Sequence, residues 1–348
     1  MRLEPIGPWA VTRCHLATDG DAPRSVVVKW LRDDPRGLRT DRRQVATERA
    51  ALEFLEEIGF ASAPRLIASD LGAAVLILED LAPRVALADR LRAEGSSGLE
   101  RELIAFARAL GELGAATAGR QAAFEAHRAR YGPADPAAER PRGFGPQWPS
   151  ARARLAASGL ELPPPADAEL AAVAETLASP GPLWTLGNGD PAPNNFLVGN
   201  GGGRLIDFEF AAYCLAPVAA VWMYVPDPAW ITVAHPARGA MEAAYRAALA
   251  QGAHEAEDDV AFGGAIAAAC LAYACDRFSR FDLLDGRVAG DRSRLQMVST
   301  LEAAAGAARR HRAFPELAGF MEGAGAWLRR RWPDADVDLS RLAPFTPR

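Results

Sequence analysis

The hydrophobic pattern of this chain changes at about residue 80, and that change constrains the fold more than any other feature. Before it, apolar residues form short β-branched runs bounded by turn residues, and Val26-Val27-Val28 is the clearest strand core. The polar turn Asp19-Gly20-Asp21 predicts a hairpin between residues 11–18 and residues 24–30. One helix and two short strands complete this region, at residues 41–58, 64–68 and 73–78.

After the change, apolar residues recur mainly with the helical period. The predicted helices cover residues 99–129, 166–177, 238–251, 257–281, 291–312 and 315–331. Residues 132–165, rich in Pro, Gly and Arg, are predicted to form a surface excursion, and a glycine-rich turn joins two strand-like pieces at residues 195–198 and 204–208. The pattern predicts an α+β, bilobal fold: a β-rich lobe of residues 1–80, a connector near residues 79–84, and a helical lobe of residues 81–348.

The bulk properties disfavour several classes of function. A net charge of -5 offers no basic field for a nucleic-acid backbone. The four cysteines are scattered and form no CxxC pair, which is typical of reduced thiols in the cytoplasm. The longest apolar run, Ala261 to Ala274, is shorter than the roughly 20 residues of a bilayer span, so it predicts a buried core helix. The N-terminus lacks a signal-peptide pattern. We therefore expect a soluble cytoplasmic protein, a monomer or homodimer, without nucleic-acid or membrane partners.

Lys29 is the only lysine in the chain, because the other 38 of the 39 basic residues are arginine. A single lysine against this background indicates a position that needs a compact ammonium group instead of a planar guanidinium. A strong bias toward arginine would also leave an occasional lysine by chance. The feature directs attention to the end of the Val-rich strand.

A second cluster of polar residues lies in the sequence from Leu186 to Val198. Asp190 lies in a loop, Asn195 follows just before an apolar strand, and Asp207 ends the next strand. Because a hairpin joins the two strands, Asn195 and Asp207 should lie close together, and their oxygens suit Mg²⁺ when phosphate completes its shell. Asp190 would then orient an acceptor hydroxyl and take its proton. As the alternative, Asp190 and Asn195 are ordinary turn formers.

These residues together resemble the aminoglycoside phosphotransferase and choline kinase branch of the protein-kinase-like superfamily, whose members are small-molecule kinases. Asn188-Gly189-Asp190 with Asn195 is similar to the catalytic loop His-Gly-Asp-x4-Asn, and Ile206-Asp207-Phe208-Glu209 to the motif Ile-Asp-Phe/Trp-Glu. Lys29, Glu48 on the following helix, and a hinge-like stretch from Leu76 to Leu81 occur upstream in the family's order. The resemblance spans roughly residues 1–250.

The resemblance implies a protein-kinase-like fold and an ATP- and Mg²⁺-dependent phosphotransferase with an alcohol group as acceptor. On the nucleotide side, Lys29 would contact the α- and β-phosphates, Glu48 would hold its ammonium group, and the hinge backbone at Glu79 and Leu81 would bind adenine.

On the transfer side, the resemblance implies that Asn195 and Asp207 bind Mg²⁺ and that Asp190 is the catalytic base. Glu209 is either a partner of the metal ligands or a surface acid.

Three positions depart from the family pattern. Gly7 is the only glycine before the hairpin turn, so no glycine-rich phosphate loop is apparent near Gly7 to Arg13. Asn188 replaces a histidine that braces the catalytic loop in the family, and residues 215–220 lack the aspartate that often follows there. Asn188 and the glycine-poor loop favour the alternative of a pseudokinase, a nucleotide- or ligand-binding protein without phosphotransfer.

The acceptor is left open by the sequence. A small-molecule hydroxyl fits better than a protein, because no long activation segment follows Glu209. An aminoglycoside, amino sugar, amino alcohol or related metabolite would each suit the family. Candidate acids for a cationic acceptor, which are equally typical of solvated helix ends, are Glu255, Glu257, Asp258, Asp259, Asp276, Asp282 and Asp285.

Overall fold

The computed structural model describes residues 2–6, 10–16, 24–31, 41–134, 148–288 and 290–348. The first strands are β1 (Arg2–Pro5), β2 (Val11–His15), β3 (Ser25–Trp30), β4 (Leu66–Asp70) and β5 (Val75–Glu79). They form one antiparallel sheet in the order β1-β2-β3-β5-β4. The predicted β2–β3 hairpin is confirmed, with Val11 opposite Lys29, while its turn at Asp19 to Asp21 lies outside the described residues.

Helix α1 (Arg42–Glu57) covers this sheet. It begins at Asp41, whose carboxylate accepts a hydrogen bond from the Arg43 amide, the usual role of an N-cap acid. Its apolar face, which the sequence predicts from Val45, Leu52 and Leu55, is buried. Helix α1 packs against β4 and β5. Its Glu48 side chain contacts Lys29, the second-last residue of β3.

The rest of the described chain is mostly helical. The further helices are α2 (Leu87–Glu94), α3 (Glu100–Thr117), α4 (Gln121–Ala129), α5 (Trp148–Ala157), α6 (Pro164–Ala178), α7 (Arg238–Leu249), α8 (Asp259–Arg277), α9 (Phe281–Asp285), α10 (Arg292–Arg310) and α11 (Pro315–Arg331). The further strands are β6 (Val85–Ala86), β7 (Trp184–Gly187), β8 (Phe196–Val198), β9 (Arg204–Leu205), β10 (Ala212–Leu215), β11 (Trp230–Thr232) and β12 (Thr346–Pro347). The predicted α+β fold with a β-rich beginning is thus confirmed, while the boundary at residue 80 stays a prediction.

The long helix predicted over residues 99–129 is two helices, α3 and α4. Gly119 separates them with a φ of 70°, a left-handed conformation that glycine adopts without a steric penalty. Helix α8 contains the predicted core run Ala261 to Ala274. The stretch Asp259–Asp285 is long and apolar enough to cross a membrane, but 72% of its apolar window is buried inside the protein, as in a core helix.

Two small sheets, built mainly from the chain between α6 and α7, position the polar cluster. The predicted hairpin is the pair β8–β9, with Phe196 opposite Leu205, and β6 extends it to a three-stranded sheet. The sequence missed the second pair, β7 with β10. Phe196 anchors the hairpin by stacking on Phe106 of α3, with 4.8 Å between ring centroids.

Candidate active site

Lys29 lies at the centre of a cluster of carboxylates. Its Nζ is 2.7 Å from Glu48 Oε1, 2.6 Å from Asp207 Oδ1 and 3.9 Å from Glu209 Oε2. Strand β3, helix α1 and the chain after β9 each contribute to this contact. The predicted residues Lys29, Glu48 and Asp207 are therefore brought together, although 178 positions separate the first from the last.

Among the described residues, the cluster contains three carboxylates and one ammonium group. Glu48, Asp207 and Glu209 each offer an oxygen within 4.8 Å of the others, and Lys29 is the one cation in contact with all three within the described ranges. Their side chains are 3%, 18% and 9% exposed, so water compensates this charge only in part. Carboxylate oxygens in such a group match the ligand chemistry of Mg²⁺. Glu209, which the sequence left undecided, belongs to the cluster and not to the surface.

The backbone at Asp207 explains how its side chain reaches the cluster. Its φ of 66° lies in the left-handed region, which non-glycine residues seldom adopt and Asp and Asn adopt more readily than most. The ladder of β9 ends at Leu205, three residues before the end of the predicted strand piece at Phe208. The turn directs the Asp207 carboxylate to Lys29 of the first sheet.

Asp190 and Asn195 lie in the loop between β7 and β8. The Asn195 side-chain amide donates to the Asp190 carbonyl at 2.9 Å and to its carboxylate at 3.1 Å. The Ile206 amide donates to the Asn195 carbonyl at 3.0 Å, which holds the loop beside the residue preceding Asp207. Asn195 is 3% exposed, and its Oδ1 accepts from the Asn194 amide.

The Asp190 carboxyl group is accessible to solvent at the mouth of a cavity. The surrounding walls remove much of its water, which raises its pKa to about 6, and the charges of Asp207 and Asp227 add to this effect. The hydrogen bond from Asn195 acts in the opposite direction. A carboxylate with a pKa near neutrality is suited to accept a proton from a hydroxyl group.

Asn188 braces the loop from inside. It is 1% exposed, and its amide group donates to the carbonyls of Asp190 at 3.3 Å and Ile206 at 3.4 Å. Its Oδ1 is buried and has no hydrogen-bond partner in the described part of the chain. The contacts are long, so the brace is weaker than a fully bonded side chain would provide.

The hinge-like stretch from Leu76 to Leu81 begins inside β5 and ends in the segment that leads to β6. Within the described ranges the Leu81 N–H has no hydrogen-bond acceptor, although the residue is only 6% exposed. The Glu79 carboxylate accepts from the Arg65 amide at 3.2 Å and so is held against β4. Sequence reasoning missed Asp80, which accepts hydrogen bonds from Arg13 at 2.7 Å and from Ser25 at 2.6 Å. Asp80 fixes the hinge to β2 and β3.

The cavity beside Asp190 has a volume of about 380 Å³ and is bounded by the loop between β7 and β8, the segment 218–228 and the end of α8 with the residues that follow it. Of the acids considered for a cationic acceptor, Asp276 lines this cavity. Asp282 pairs with Arg154 at 3.1 Å and Asp285 with Arg331 at 2.8 Å. The four acids from Glu255 to Asp259 are exposed around the start of α8, outside the cavity lining.

The expected glycine-poor phosphate loop lies partly outside the described residues. The glycine-poor loop near Gly7 begins with residues 7–9, which are not among the described residues. Residues 216–223 form a mostly buried 3₁₀ segment of apolar residues. It includes most of the stretch 215–220, in which the sequence lacks an aspartate.

Comparison with protein families gives one match: the Phosphotransferase enzyme family (APH) matches residues 12–262. No curated protein matches the chain in sequence. Among solved structures, similar chains include the choline kinase LicA from Streptococcus pneumoniae, with 13% identity, a TM-score of 0.46, and coverage of 88% of this chain and 94% of that chain.

Two further similar structures are kinases from other organisms. Choline kinase from Cryptosporidium parvum Iowa II has 11% identity, a TM-score of 0.47, and coverage of 94% of this chain and 93% of that chain. A choline/ethanolamine kinase family protein from Mesorhizobium loti has 14% identity, a TM-score of 0.40, and coverage of 95% and 93%.

Proposed function

The chain belongs to the phosphotransferase enzyme family, and from this premise we propose that it is a small-molecule kinase that transfers the γ-phosphate of ATP to a hydroxyl group with Mg²⁺ as cofactor. The observation that carries the proposal is the contact of Lys29 with both Glu48 and Asp207, three residues from separate parts of the chain. An ammonium group held between acids at the end of a sheet is suited to bind phosphate oxygens.

Lys29 and Glu48 act on the nucleotide in this proposal. Glu48 fixes the ammonium group of Lys29 through two hydrogen bonds, and Lys29 donates to the α- and β-phosphates when ATP binds. The hinge backbone at Glu79 and Leu81 binds the adenine ring, and the unused Leu81 N–H supports this role.

Asp207 and Asn195 are the proposed Mg²⁺ ligands, with Glu209 beside them. The three carboxylates of the cluster supply oxygen donors that fit a divalent cation. Bound Mg²⁺ would neutralise charge on the phosphates. The left-handed backbone at Asp207 keeps its carboxylate turned toward this position.

Asp190 is the proposed catalytic base. The acceptor oxygen attacks the γ-phosphorus, the bond from that phosphorus to the bridging oxygen breaks, and ADP leaves. The hydroxyl proton passes to the Asp190 carboxylate, which Asn195 holds in place. The acceptor occupies the cavity beside this carboxylate.

The test measures ADP formation with a pooled library of hydroxyl metabolites and aminoglycosides, in the presence and absence of Mg²⁺. We expect turnover that requires Mg²⁺, and a loss on the order of 10² to 10⁴ in Asp190→Asn, because the amide cannot accept the proton. Nucleotide affinity should be retained in this variant. Near wild-type turnover in Asp190→Asn would contradict the role of a base.

A pseudokinase is the second candidate, because the buried Asn188 Oδ1 has no hydrogen-bond partner among the described residues. The pseudokinase alternative predicts thermal stabilisation by ATP without ADP formation across the same library.

We further propose a cytoplasmic location, which the four buried thiols support because none forms a disulfide.

A further inference from the structure

The cavity beside Asp190 contains two arginines. Arg277, the last residue of α8, and Arg280, three residues later, line the same cavity as the proposed base. An acceptor that fills this cavity with its hydroxyl group at Asp190 therefore lies beside Arg277, Arg280 or both.

No acidic partner of these two arginines lies in the described part of the chain, where Arg277 is part-buried and Arg280 is exposed. Within the described ranges, no carboxylate oxygen lies within 4.0 Å of either group, and the Nε of Arg277 is buried without a hydrogen bond. Arg277 donates to the Tyr273 hydroxyl and lies 4.3 Å from that ring centroid. Two other arginines with little exposure are paired: Arg294 with Asp334 at 3.3 Å and Arg329 with Glu302 at 2.8 Å.

The arrangement is unfavourable as long as no anion is present. Burial, followed by the positive charges of Arg280 and Arg348, lowers the pKa of Arg277 to about 9, and Asp227 only partly opposes this. A guanidinium group without a counter-ion in such a place costs stability, and proteins retain such groups where a ligand supplies the opposite charge. A bound anion would relieve the repulsion among the arginines.

Acids on the other parts of the lining restrict where an anion can lie. Asp190, Asp227 and Asp276 all contribute to the cavity, so an anionic group is repelled from most of it. Asp227 is held by a hydrogen bond from the Ala229 amide at 2.6 Å. These charges orient an acceptor with its hydroxyl at Asp190 and its anionic group at the arginines.

We propose that the acceptor carries, besides the hydroxyl group that is phosphorylated, an anionic carboxylate or phosphate group that Arg277 and Arg280 bind. The inference rests on the proposed function, since it concerns the acceptor of that reaction. The anionic group takes no part in the transfer. Its guanidinium contacts would position the hydroxyl and exclude neutral and cationic analogues.

The first experiment compares acceptors that differ only in the anionic group. The pairs are ethanolamine with serine, glycerol with glycerate, and glycerol with glycerol 3-phosphate, and the last two separate a carboxylate from a phosphate. We expect kcat/KM at least about tenfold higher for an anionic member, in line with one charge-assisted hydrogen bond, and falling as salt is added. Equal or better turnover of ethanolamine or glycerol would overturn the inference.

The second experiment uses variants. Arg277→Gln and Arg280→Gln should raise KM for the anionic acceptor roughly 10- to 100-fold and leave kcat/KM for its neutral partner unchanged. Arg330→Gln, an exposed arginine without contacts in the described part of the chain, is the control and should change neither. Equal losses for both members of a pair would mean a structural role and would contradict the inference.

The melting temperature distinguishes the two roles further. Because Arg277 has no acidic partner, Arg277→Gln should leave the melting temperature of the ligand-free protein unchanged or higher, whereas loss of a structural contact would lower it. Nucleotide affinity should be the same in all variants.

Failure of the proposed function has a different signature. If no acceptor is phosphorylated and ATP does not bind, the kinase proposal fails, but calorimetry still tests the arginines. Glycerol 3-phosphate and glycerate should then bind the wild-type protein at least tenfold more tightly than glycerol, and Arg277→Gln should remove the difference. Equal binding of all three would overturn the inference by itself.

Discussion

At the scale of single residues, Lys29 is the most constrained position of the site. Its ammonium group is within 2.7 Å of two carboxylates, from Glu48 and Asp207, and the side chain is 11% exposed. A guanidinium group is wider than an ammonium group and planar, and its N–H donors have a fixed forked geometry, whereas an ammonium group is a compact point charge. The shape of the site therefore accounts for one lysine in a chain that otherwise uses arginine.

We predict that Lys29→Arg lowers kcat/KM for ATP roughly 100-fold, because the larger group displaces Glu48 and cannot direct a compact charge to the phosphates. Steady-state kinetics with varied ATP measures this. The matched control is Arg101→Lys, an exchange between the same residue types at an exposed position of α3, which should keep wild-type kinetics. A Lys29→Arg enzyme within a factor of about two of wild type would contradict the role given to the lysine.

At the scale of elements, the sequence predicted those with a strong local period. Strands β2, β3, β4 and β5 and helix α1 occur where the pattern indicates, and α7, α8, α10 and α11 agree within a few residues. The pair β7–β10 was missed because all four residues of each strand are buried, so neither shows the alternation that marks a half-buried strand. Burial on both faces is a tertiary property.

The loop between β7 and β8 depends on a close approach between two backbones. Gly189 has a φ of 83°, and a Cβ atom added there would lie 2.1 Å from the Phe210 carbonyl oxygen. Since Gly189 directly precedes Asp190, the position of the proposed base depends on this contact between the loop and the chain before β10.

We predict that Gly189→Ala destabilises the protein by about 1–3 kcal/mol and lowers kcat, because the backbone must move or adopt a strained conformation. Gly239→Ala is the control: this glycine lies in α7 with nothing within 4 Å of an added Cβ, so the substitution should stabilise by about 0.4–1 kcal/mol. Urea unfolding followed by circular dichroism measures both. Equal stability of the two variants would contradict the close approach.

At the scale of the whole molecule, Lys29 joins the first sheet to the segment after β9. The contact of Lys29 with Asp207 spans 178 positions, and the Arg13–Asp80 pair at 2.7 Å ties the hinge to the same sheet. A nucleotide that binds at this junction contacts both parts of the chain and favours the folded state over the unfolded one. Ligand binding and stability should therefore be coupled.

We predict that a non-hydrolysable ATP analogue with Mg²⁺ raises the melting temperature, with a stabilisation of about 2.7 kcal/mol at 100 times its Kd. Removal of Mg²⁺ by EDTA should reduce the shift, and Asp207→Asn should abolish the dependence on Mg²⁺ while keeping the left-handed backbone that Asn tolerates. Differential scanning calorimetry measures the shift. The same shift with and without Mg²⁺ in the wild-type protein would contradict a metal site at Asp207.

The fold class and the likeness to one family follow from the sequence alone, because local periods and motif spacing are properties of the chain. The sequence also gives the order of the proposed site residues: Lys29, Glu48, Asp190, Asn195 and Asp207. The contacts between distant segments arise only on folding. In the folded chain, Glu209 lies in the carboxylate cluster and Asp80 accepts a hydrogen bond from Arg13. Arg277 and Arg280 line the cavity beside Asp190. No spacing in the sequence predicts such contacts, since they depend on how segments far apart in the chain pack against each other.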